Sequence, residues 1–245
     1  MTNIRRGIAV VHFERQKTLP KLLEAVRETA PVGTRIVVCD DGSSTLSTLP
    51  KDAILLRGPR LGVGANKNRA LWALQDCHTL VILEDDLIPK EKGWFEVYEQ
   101  AAAITNIHHF CRVHDEKLVQ DTHPAMTNFL ATKGFTPLFG SSPRGDFTFL
   151  TAEVLKKVGG FNPNFIGAGY AHGEWSSRVA KAGLISHPLR WIDIKEGRDK
   201  FYQEGDTSGG RWNHPERTKE EIKTNKRVMR ELEKNNYIFH PLVLT

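Results

Sequence analysis

Short apolar runs rich in β-branched residues constrain the fold of this chain more than any other feature. Three of them span residues 8–13, 35–39 and 79–83, and segments with helical periodicity and helix-capping signals lie between them. Continuous apolar runs of this length are typical of strands that are buried on both faces of a parallel sheet. Because strands and helices alternate, the sequence predicts an α/β fold with a largely parallel central sheet flanked by helices.

The remaining elements are predicted from turn and capping signals. We expect a short strand and three further helices over residues 53–56, 94–104, 151–158 and 175–182. A capping-box pattern at Thr218–Glu221 predicts a charged C-terminal helix that ends near Asn235. Residues 105–145 mix histidine, glycine and proline with short apolar stretches, so irregular strands and loops are expected there. No repeat or linker is visible, and the 245 residues are predicted to form a single domain.

Composition excludes several classes of protein. The three cysteines show no C-x-x-C spacing, so neither a disulfide framework nor a cysteine zinc site is predicted, and a reducing compartment is favoured. No apolar run approaches the roughly 18 residues of a membrane span, and no signal core is seen near Met1, so we expect a cytoplasmic protein. The net charge of +5 permits nucleic-acid binding without favouring it, because the basic C-terminal helix also carries glutamates.

Acidic residues directly follow two of the predicted strands. Asp40 and Asp41 end the second apolar run, and Glu84, Asp85 and Asp86 end the third. Because the carboxyl ends of parallel strands meet at one edge of a sheet, we expect both clusters to border one crevice. Carboxylates placed in this way suit Mg2+ or Mn2+ that is shared with substrate phosphates. The alternatives are a plain turn at Asp40 and an acidic first turn of the helix after Glu84.

A glycine-containing segment, Gly62-Val-Gly64, leads into the second predicted helix. It lacks the third glycine of a dinucleotide-binding fingerprint and the G-K-[ST] of a phosphate-binding P-loop. Lys67 and Arg69 at the start of this helix are nonetheless placed to meet a diphosphate, and Asn68 is placed to bond a ribose or a phosphate. The alternative is that Lys67 and Arg69 belong to an ordinary solvated helix face.

Two candidate bases lie where a later helix opens, in the segment His172-Gly173-Glu174-Trp175. Either His172 or Glu174 is suited to take a proton from a substrate hydroxyl. Glu174 also stands four residues before Arg178, and the alternative for it is a helix cap with an ordinary i,i+4 ion pair. The other histidines show no zinc-binding spacing. Among them, His214 is the candidate for a late metal or phosphate contact, with an exposed loop histidine as the alternative.

The order and spacing of five motifs resemble family 2 glycosyltransferases of the A-type fold. The resemblance runs from about Ile8 to Gly183, and it is specific for fold and class rather than for substrate. The motifs are L-P-x-L-L after the first strand, V-V-C-D-D-G-S-S, G-V-G-A-N-K-N-R-A-L, V-I-L-E-D-D, and V-G-G-F-N-P-N-F with the glycine-rich loop and acid-aromatic-Ser-Ser-Arg helix that follow it. The resemblance implies metal-dependent, inverting transfer of one sugar from a nucleoside-diphosphate sugar, with a UDP-sugar favoured, to a hydroxyl acceptor.

The resemblance also implies roles for individual residues. It implies that the donor nucleotide is bound by Phe13, Glu14, Asp40, Asp41, Lys67, Asn68, Glu84 and Asp85. Asp86, with Asp85 beside it, matches the Asp-x-Asp region that binds Mn2+ or Mg2+, and His214 is kept as the further metal candidate. Glu174 is favoured as the base, with His172 as the alternative. The nucleotide-binding half is expected over about 1–90, the acceptor and catalytic half over about 91–215, and a C-terminal helix and tail over 216–245.

Departures from the family pattern leave other functions open. Glu84 stands where the family more often has aspartate, and His172-Gly173-Glu174 stands where many members have Glu-Asp. The second departure admits a non-catalytic module that binds a sugar nucleotide or a glycan. Nucleotidyl transfer to a sugar phosphate is a further alternative, weakened because no glycine-rich phosphate loop follows the first strand. The Gln-x-x-Arg-Trp motif of processive synthases is absent at Arg211-Trp212, so the acceptor is expected to be a glycan, a lipid-linked molecule, a protein or modified DNA.

Overall fold

A computed structural model describes residues 5–46, 48–105, 124–140, 145–167, 169–184, 191–204, 215–235 and 238–242. In chain order its elements are β1 (Arg6–His12), α1 (Thr18–Thr29), β2 (Arg35–Asp40), β3 (Ile54–Arg57), α2 (Val63–Ala73), β4 (Thr79–Glu84), β5 (Leu87–Pro89), α3 (Trp94–Thr105), α4 (Pro124–Thr132), β6 (Pro137–Gly140), β7 (Phe147–Thr151), α5 (Ala152–Val158), α6 (Ala171–Lys181), β8 (Trp191–Ile194), α7 (Lys195–Arg198), β9 (Phe201–Gln203) and α8 (Pro215–Leu232). The mixed α/β fold with flanking helices confirms the predicted fold class.

A five-stranded sheet organises the molecule, in the order β3-β2-β1-β4-β7. The first four of these strands in the chain run parallel, and β7 pairs with β4 in the antiparallel direction. Val11 of β1 pairs with Cys39 of β2 on one side and with Glu84 of β4 on the other. The strand order therefore reverses at β1, and the acidic ends of β2 and β4 lie on either side of its carboxyl end. Open sheets of this type bind ligands at such a switch point.

Apolar side chains cover both faces of the sheet. The residues of β1 from Ile8 to Val11 are buried, and α1 turns Leu19, Leu22, Leu23 and Val26 into the core at the spacing that predicted the helix. A second layer is aromatic: Trp94 of α3 lies 5.1 Å from the ring of Phe201. Tyr98 lies 4.5 Å from Phe147. This packing joins α3 to β7 and β9, and β7 lies next to β4, the strand that ends in acidic residues.

The structure corrects the prediction for residues 105–145, because a regular helix, α4, occupies part of this segment. Strand β7 was not predicted, since its buried run Phe147–Leu150 is short and its partner β4 is distant in the sequence. Helix α6 begins at Ala171 and not at Trp175. Tyr170, directly before the helix, has a left-handed φ of 66° and marks this boundary. Helix α8 begins at Pro215, which suits a first helical turn. Within the described ranges, no helix has the length and apolar character of a membrane span.

Candidate active site

The loops after β1 and β4 are joined at the switch point. The Nδ1 atom of His12 lies 2.8 Å from Oδ2 of Asp85, and the backbone N–H of Phe13 donates to the same oxygen at 3.1 Å. Burial raises the pKa of the Asp85 carboxyl above its ordinary value, although the hydrogen bond from His12 and the charge of Arg15 oppose this rise. Asp85 therefore fastens the loop that carries Phe13 and Glu14 to the end of β4.

Arg15 offsets the charge of the acidic cluster. Its Nη1 lies 3.3 Å from Oδ1 of Asp85 and also contacts Oδ2 of Asp86. Burial lowers the pKa of Arg15, but the charges of Asp85 and Asp86 more than compensate, so that the pKa is raised. Oδ2 of Asp86 also accepts a 3.2 Å hydrogen bond from Nε2 of Gln203. Arg15 therefore supplies a positive charge beside these adjacent carboxylates.

The second carboxylate oxygen of Asp86 fits a metal ion. Oδ1 is buried and accepts no hydrogen bond from any described residue, whereas native proteins seldom bury such an atom without a partner. The described part of the chain contains no group of three side chains that could hold a metal. His214 lies outside the described residues. Mg2+ and Mn2+ are commonly held by one or two carboxylates together with substrate phosphates and water, so Asp86 and Asp85 are the described residues that would hold such an ion.

A buried lysine connects the acidic strand end to the candidate base. Lys67 of α2 is fully buried, and its Nζ lies 3.0 Å from Oε1 of Glu84 and 3.3 Å from Nε2 of His172. It also donates to the carbonyl oxygen of Gly145, before β7. Because an ammonium group can only donate, we infer that Nε2 of His172 accepts and that its Nδ1 carries the proton. The solvated-face alternative for Lys67 is therefore wrong.

Glu174 and Arg178 form a buried ion pair within α6. Nε of Arg178 lies 2.7 Å from Oε1 of Glu174, and Nη2 lies 3.0 Å from Oε2. The same guanidinium donates to the carbonyl oxygens of Val158 at 2.5 Å and Gly160 at 2.7 Å. The i,i+4 pair that the sequence offered as an alternative for Glu174 is present, and it ties α6 to the end of α5. His172, two residues before Glu174, has its Nε2 3.3 Å from Nζ of Lys67.

The aspartates after β2 organise turns. Asp40 accepts hydrogen bonds from the backbone N–H and the hydroxyl of Ser43, at 3.2 and 2.5 Å, and lies 3.0 Å from Nε of Arg57. Asp41 accepts from the backbone N–H groups of Leu61 and Gly62 at 3.0 and 2.9 Å. Burial raises the pKa of Asp41, and these two hydrogen bonds oppose the rise. The turn alternative for this cluster is thus observed, at the carboxyl end of β2 beside β1.

The remaining predicted donor residues differ in accessibility. Phe13 is partly exposed, with the guanidinium of Arg60 4.1 Å from its ring centroid. Glu14 has a left-handed φ of 59°, and its carboxylate accepts from the backbone N–H of Ser44 at 2.7 Å. Asn68, in contrast, is buried, and its amide exchanges two hydrogen bonds of 2.8 and 2.9 Å with the backbone of Phe161. Asn68 therefore holds the segment after α5 instead of facing the crevice.

Three residues that sequence reasoning missed contribute to this arrangement. Arg15 neutralises the acids, and Gln203 of β9 reaches Asp86 from a distant part of the chain. Asn66 donates to the carbonyl oxygen of Cys39 at 2.8 Å and joins α2 to the end of β2. Only Arg15 had a signal in the sequence, since it follows β1 by three residues and must lie near the acids that end the neighbouring strand.

Comparisons with known proteins identify the fold. No family model and no curated protein sequence matches the chain. Among solved structures, GalNAc-T7 with UDP, GalNAc and Mn2+ aligns with a TM-score of 0.58 and 12% identity over 79% of this chain and 43% of that one. The mannosyltransferase PcManGT from Pyrobaculum calidifontis, in complex with GDP-Man and Mn2+, aligns with a TM-score of 0.49 and 18% identity over 74% of this chain and 54% of that one.

The chain thus spans about half the length of these two structures, 43% and 54%. At such low identity the likeness concerns the fold alone. It rests on GalNAc-T7, with the TM-score of 0.58. The chain is similar to GalNAc-T7 in architecture and has the A-type fold of glycosyltransferases.

Proposed function

We propose that this protein transfers one sugar from a nucleoside-diphosphate sugar to a hydroxyl acceptor. The observation that supports this most is the set of charged groups at the switch point. An acidic strand end with a buried carboxylate oxygen at Asp86 lies beside the partly buried Arg15, the fully buried Lys67 and His172. The divalent cation needs carboxylates and the diphosphate needs positive side chains, so a site for both contains negative and positive groups. GalNAc-T7, which shares the fold, has UDP and Mn2+ in its structure.

The donor nucleotide is proposed to bind in the half formed by residues 1–90. Phe13 and Glu14 line the loop after β1, and Asp40 and Asp41 shape the neighbouring loop after β2. Glu84 is one-third exposed at the crevice and is placed for a ribose hydroxyl. A UDP-sugar is the favoured donor. Asn68 acts indirectly in this proposal, through the backbone of Phe161.

Asp86 is proposed to hold the divalent cation, Mn2+ or Mg2+, with Asp85 next to it and His214 as a further ligand. When bound, the cation offsets the negative charge that develops on the departing diphosphate. The ammonium group of Lys67, on α2, is proposed to offset the same negative charge on the diphosphate. This ammonium lies between Glu84 and His172 and can turn toward a phosphate oxygen without leaving the site.

His172, and not Glu174, is proposed as the base. Both oxygens of Glu174 are bound by Arg178, and the carboxylate is buried, so protonating it would break an ion pair in the core. His172 is partly exposed, and its Nε2 lies 3.3 Å from Nζ of Lys67. When Lys67 turns to the diphosphate, Nε2 of His172 becomes available to accept the proton of the acceptor hydroxyl. Transfer is also proposed to invert the anomeric carbon, with the acceptor oxygen attacking on the side opposite the departing diphosphate.

We also propose that the protein works in the cytoplasm. Cys39 and Cys77 are free, buried thiols, and burial raises the pKa of Cys39 to about 12. Thiols of this kind behave as small apolar side chains and suit a reducing compartment.

A panel of nucleotides tests the donor proposal. With Mn2+ present, at least one nucleoside diphosphate or its sugar conjugate is expected to raise the melting temperature by about 5 °C at saturation, since a ligand at 100 times its Kd stabilises by about 2.7 kcal/mol. Thermal unfolding of the wild-type protein and of Asp86→Asn measures this. The variant should lose most of the metal-dependent part of the shift. Unchanged unfolding with every nucleotide would exclude the proposed donor site.

A further inference from the structure

We propose that Arg15 competes with the divalent cation for Asp86, so that the metal binds weakly to the free protein and tightly only with the donor diphosphate. This inference rests on the proposed function, because it concerns the metal site of the same crevice. It gives Arg15 a role in positioning and regulation that neither the fold nor the motifs assign.

The position of Arg15 makes this competition direct. Its guanidinium contacts Oδ2 of Asp86 and lies 3.3 Å from Oδ1 of Asp85, so it already occupies the face on which both carboxylates converge. The side chain is only 15% exposed. Its backbone is also fixed, since the carbonyl oxygen of Arg15 accepts hydrogen bonds from Leu19 and Thr18, both at 3.2 Å, at the start of α1. The charge is therefore held in place by the fold.

The oxygens of Asp86 have different partners. Oδ2 is shared by Arg15 and Gln203, whereas Oδ1 is buried and has no hydrogen-bond partner among the described residues. A cation that approaches Oδ1 meets the positive charge of Arg15 on the other oxygen of the same carboxylate. Like charges this close repel strongly where water is scarce, so the metal alone binds against the field of Arg15.

A diphosphate changes this balance. Guanidinium groups bind phosphate oxygens in a bidentate manner and with more strength than they bind neutral acceptors. A donor bound at the switch point offers its phosphate oxygens to Arg15. The guanidinium then interacts less with Asp86 and repels a cation at that carboxylate less. The metal and the donor are thereby expected to bind cooperatively, each improving the affinity for the other.

The test uses Mn2+ alone as the probe, with the affinity measured from the free Mn2+ signal in electron paramagnetic resonance. Arg15→Gln is expected to bind Mn2+ at least about tenfold more tightly than the wild type, because a repelling charge is removed. Arg15→Met, which keeps the apolar stem, provides the same comparison if the glutamine variant does not fold. Arg15→Lys keeps the charge and should stay much closer to the wild type.

Two controls make the result specific. Arg27→Gln removes an equal charge from α1, the helix that follows Arg15; Arg27 forms an exposed pair with Asp52 there, and this variant should leave the affinity unchanged. The double variant Arg15→Gln/Asp86→Asn should lose the gain. Equal or weaker Mn2+ binding in folded Arg15→Gln and Arg15→Met, or no Mn2+ binding in either of them, would overturn the inference. Nucleotide protection against unfolding tests the proposed function separately, whatever the Mn2+ result.

Discussion

Replacing Asp86 by asparagine is expected to lower the rate of sugar transfer by at least about a hundredfold. The substitution keeps the size of the side chain but removes the charge that would hold the divalent cation. Oδ1 of Asp86 is buried and accepts no hydrogen bond from any described residue, so no neighbouring atom of the described chain replaces its charge. The measurement is the rate of product formation with saturating donor and Mn2+, together with the Mn2+ affinity of the variant.

The matched control is Asp199→Asn on the surface. Asp199 pairs with Lys195 and is more than half exposed, so the variant loses the same charge without affecting the crevice. It should retain wild-type transfer. Full metal-dependent activity in Asp86→Asn, with a normal far-ultraviolet circular dichroism spectrum, would contradict the assignment of Asp86.

Exchanging the two candidate bases is expected to separate catalysis from stability. His172→Ala should reduce turnover by about a hundred- to ten-thousandfold while leaving donor binding largely intact, because a general base acts on the transition state. Glu174→Gln should instead lower the free energy of unfolding by about 3–5 kcal/mol, since the buried Arg178 loses the charge that it faces. Steady-state kinetics and urea unfolding of both variants measure these effects.

Glu153 provides the control for the stability effect. It pairs with Lys157 at the same i,i+4 spacing, but both side chains are about half exposed. Glu153→Gln should therefore change the free energy of unfolding by only about 0.5 kcal/mol or less. Normal turnover in His172→Ala, combined with loss of turnover in a stably folded Glu174→Gln, would return the role of base to Glu174.

The part of the fold that the sequence predicted best is the part with the strongest local signal. Strands β1, β2 and β4 are buried on both faces, so each reads as a continuous apolar run, and α1 has a regular apolar face. Their parallel pairing then brings the two acidic strand ends to either side of His12. Strand β7 was missed because its stability comes from the pairing with β4, and α4 because its apolar pattern is weak.

The site was predicted less completely, because its polar groups are distributed by tertiary contacts. The sequence placed Asp85 and Asp86 correctly at a strand end, but it could not show that Arg15 and Gln203 converge on Asp86. Glu174 looked like a base and like an ion-pair partner with equal justification. Only burial, which depends on how α6 packs against the end of α5, distinguishes these two interpretations.

The central claim is that the switch-point crevice transfers sugar from a nucleoside-diphosphate donor. The most direct test incubates the wild-type protein and Asp86→Asn with a panel of nucleotide sugars and Mn2+ and identifies the products by mass spectrometry. We predict release of a nucleoside diphosphate from at least one donor by the wild type, including slow hydrolysis with water as acceptor, and far less by the variant. No turnover of any donor that binds, or release of pyrophosphate from a nucleoside triphosphate and a sugar phosphate, would contradict it.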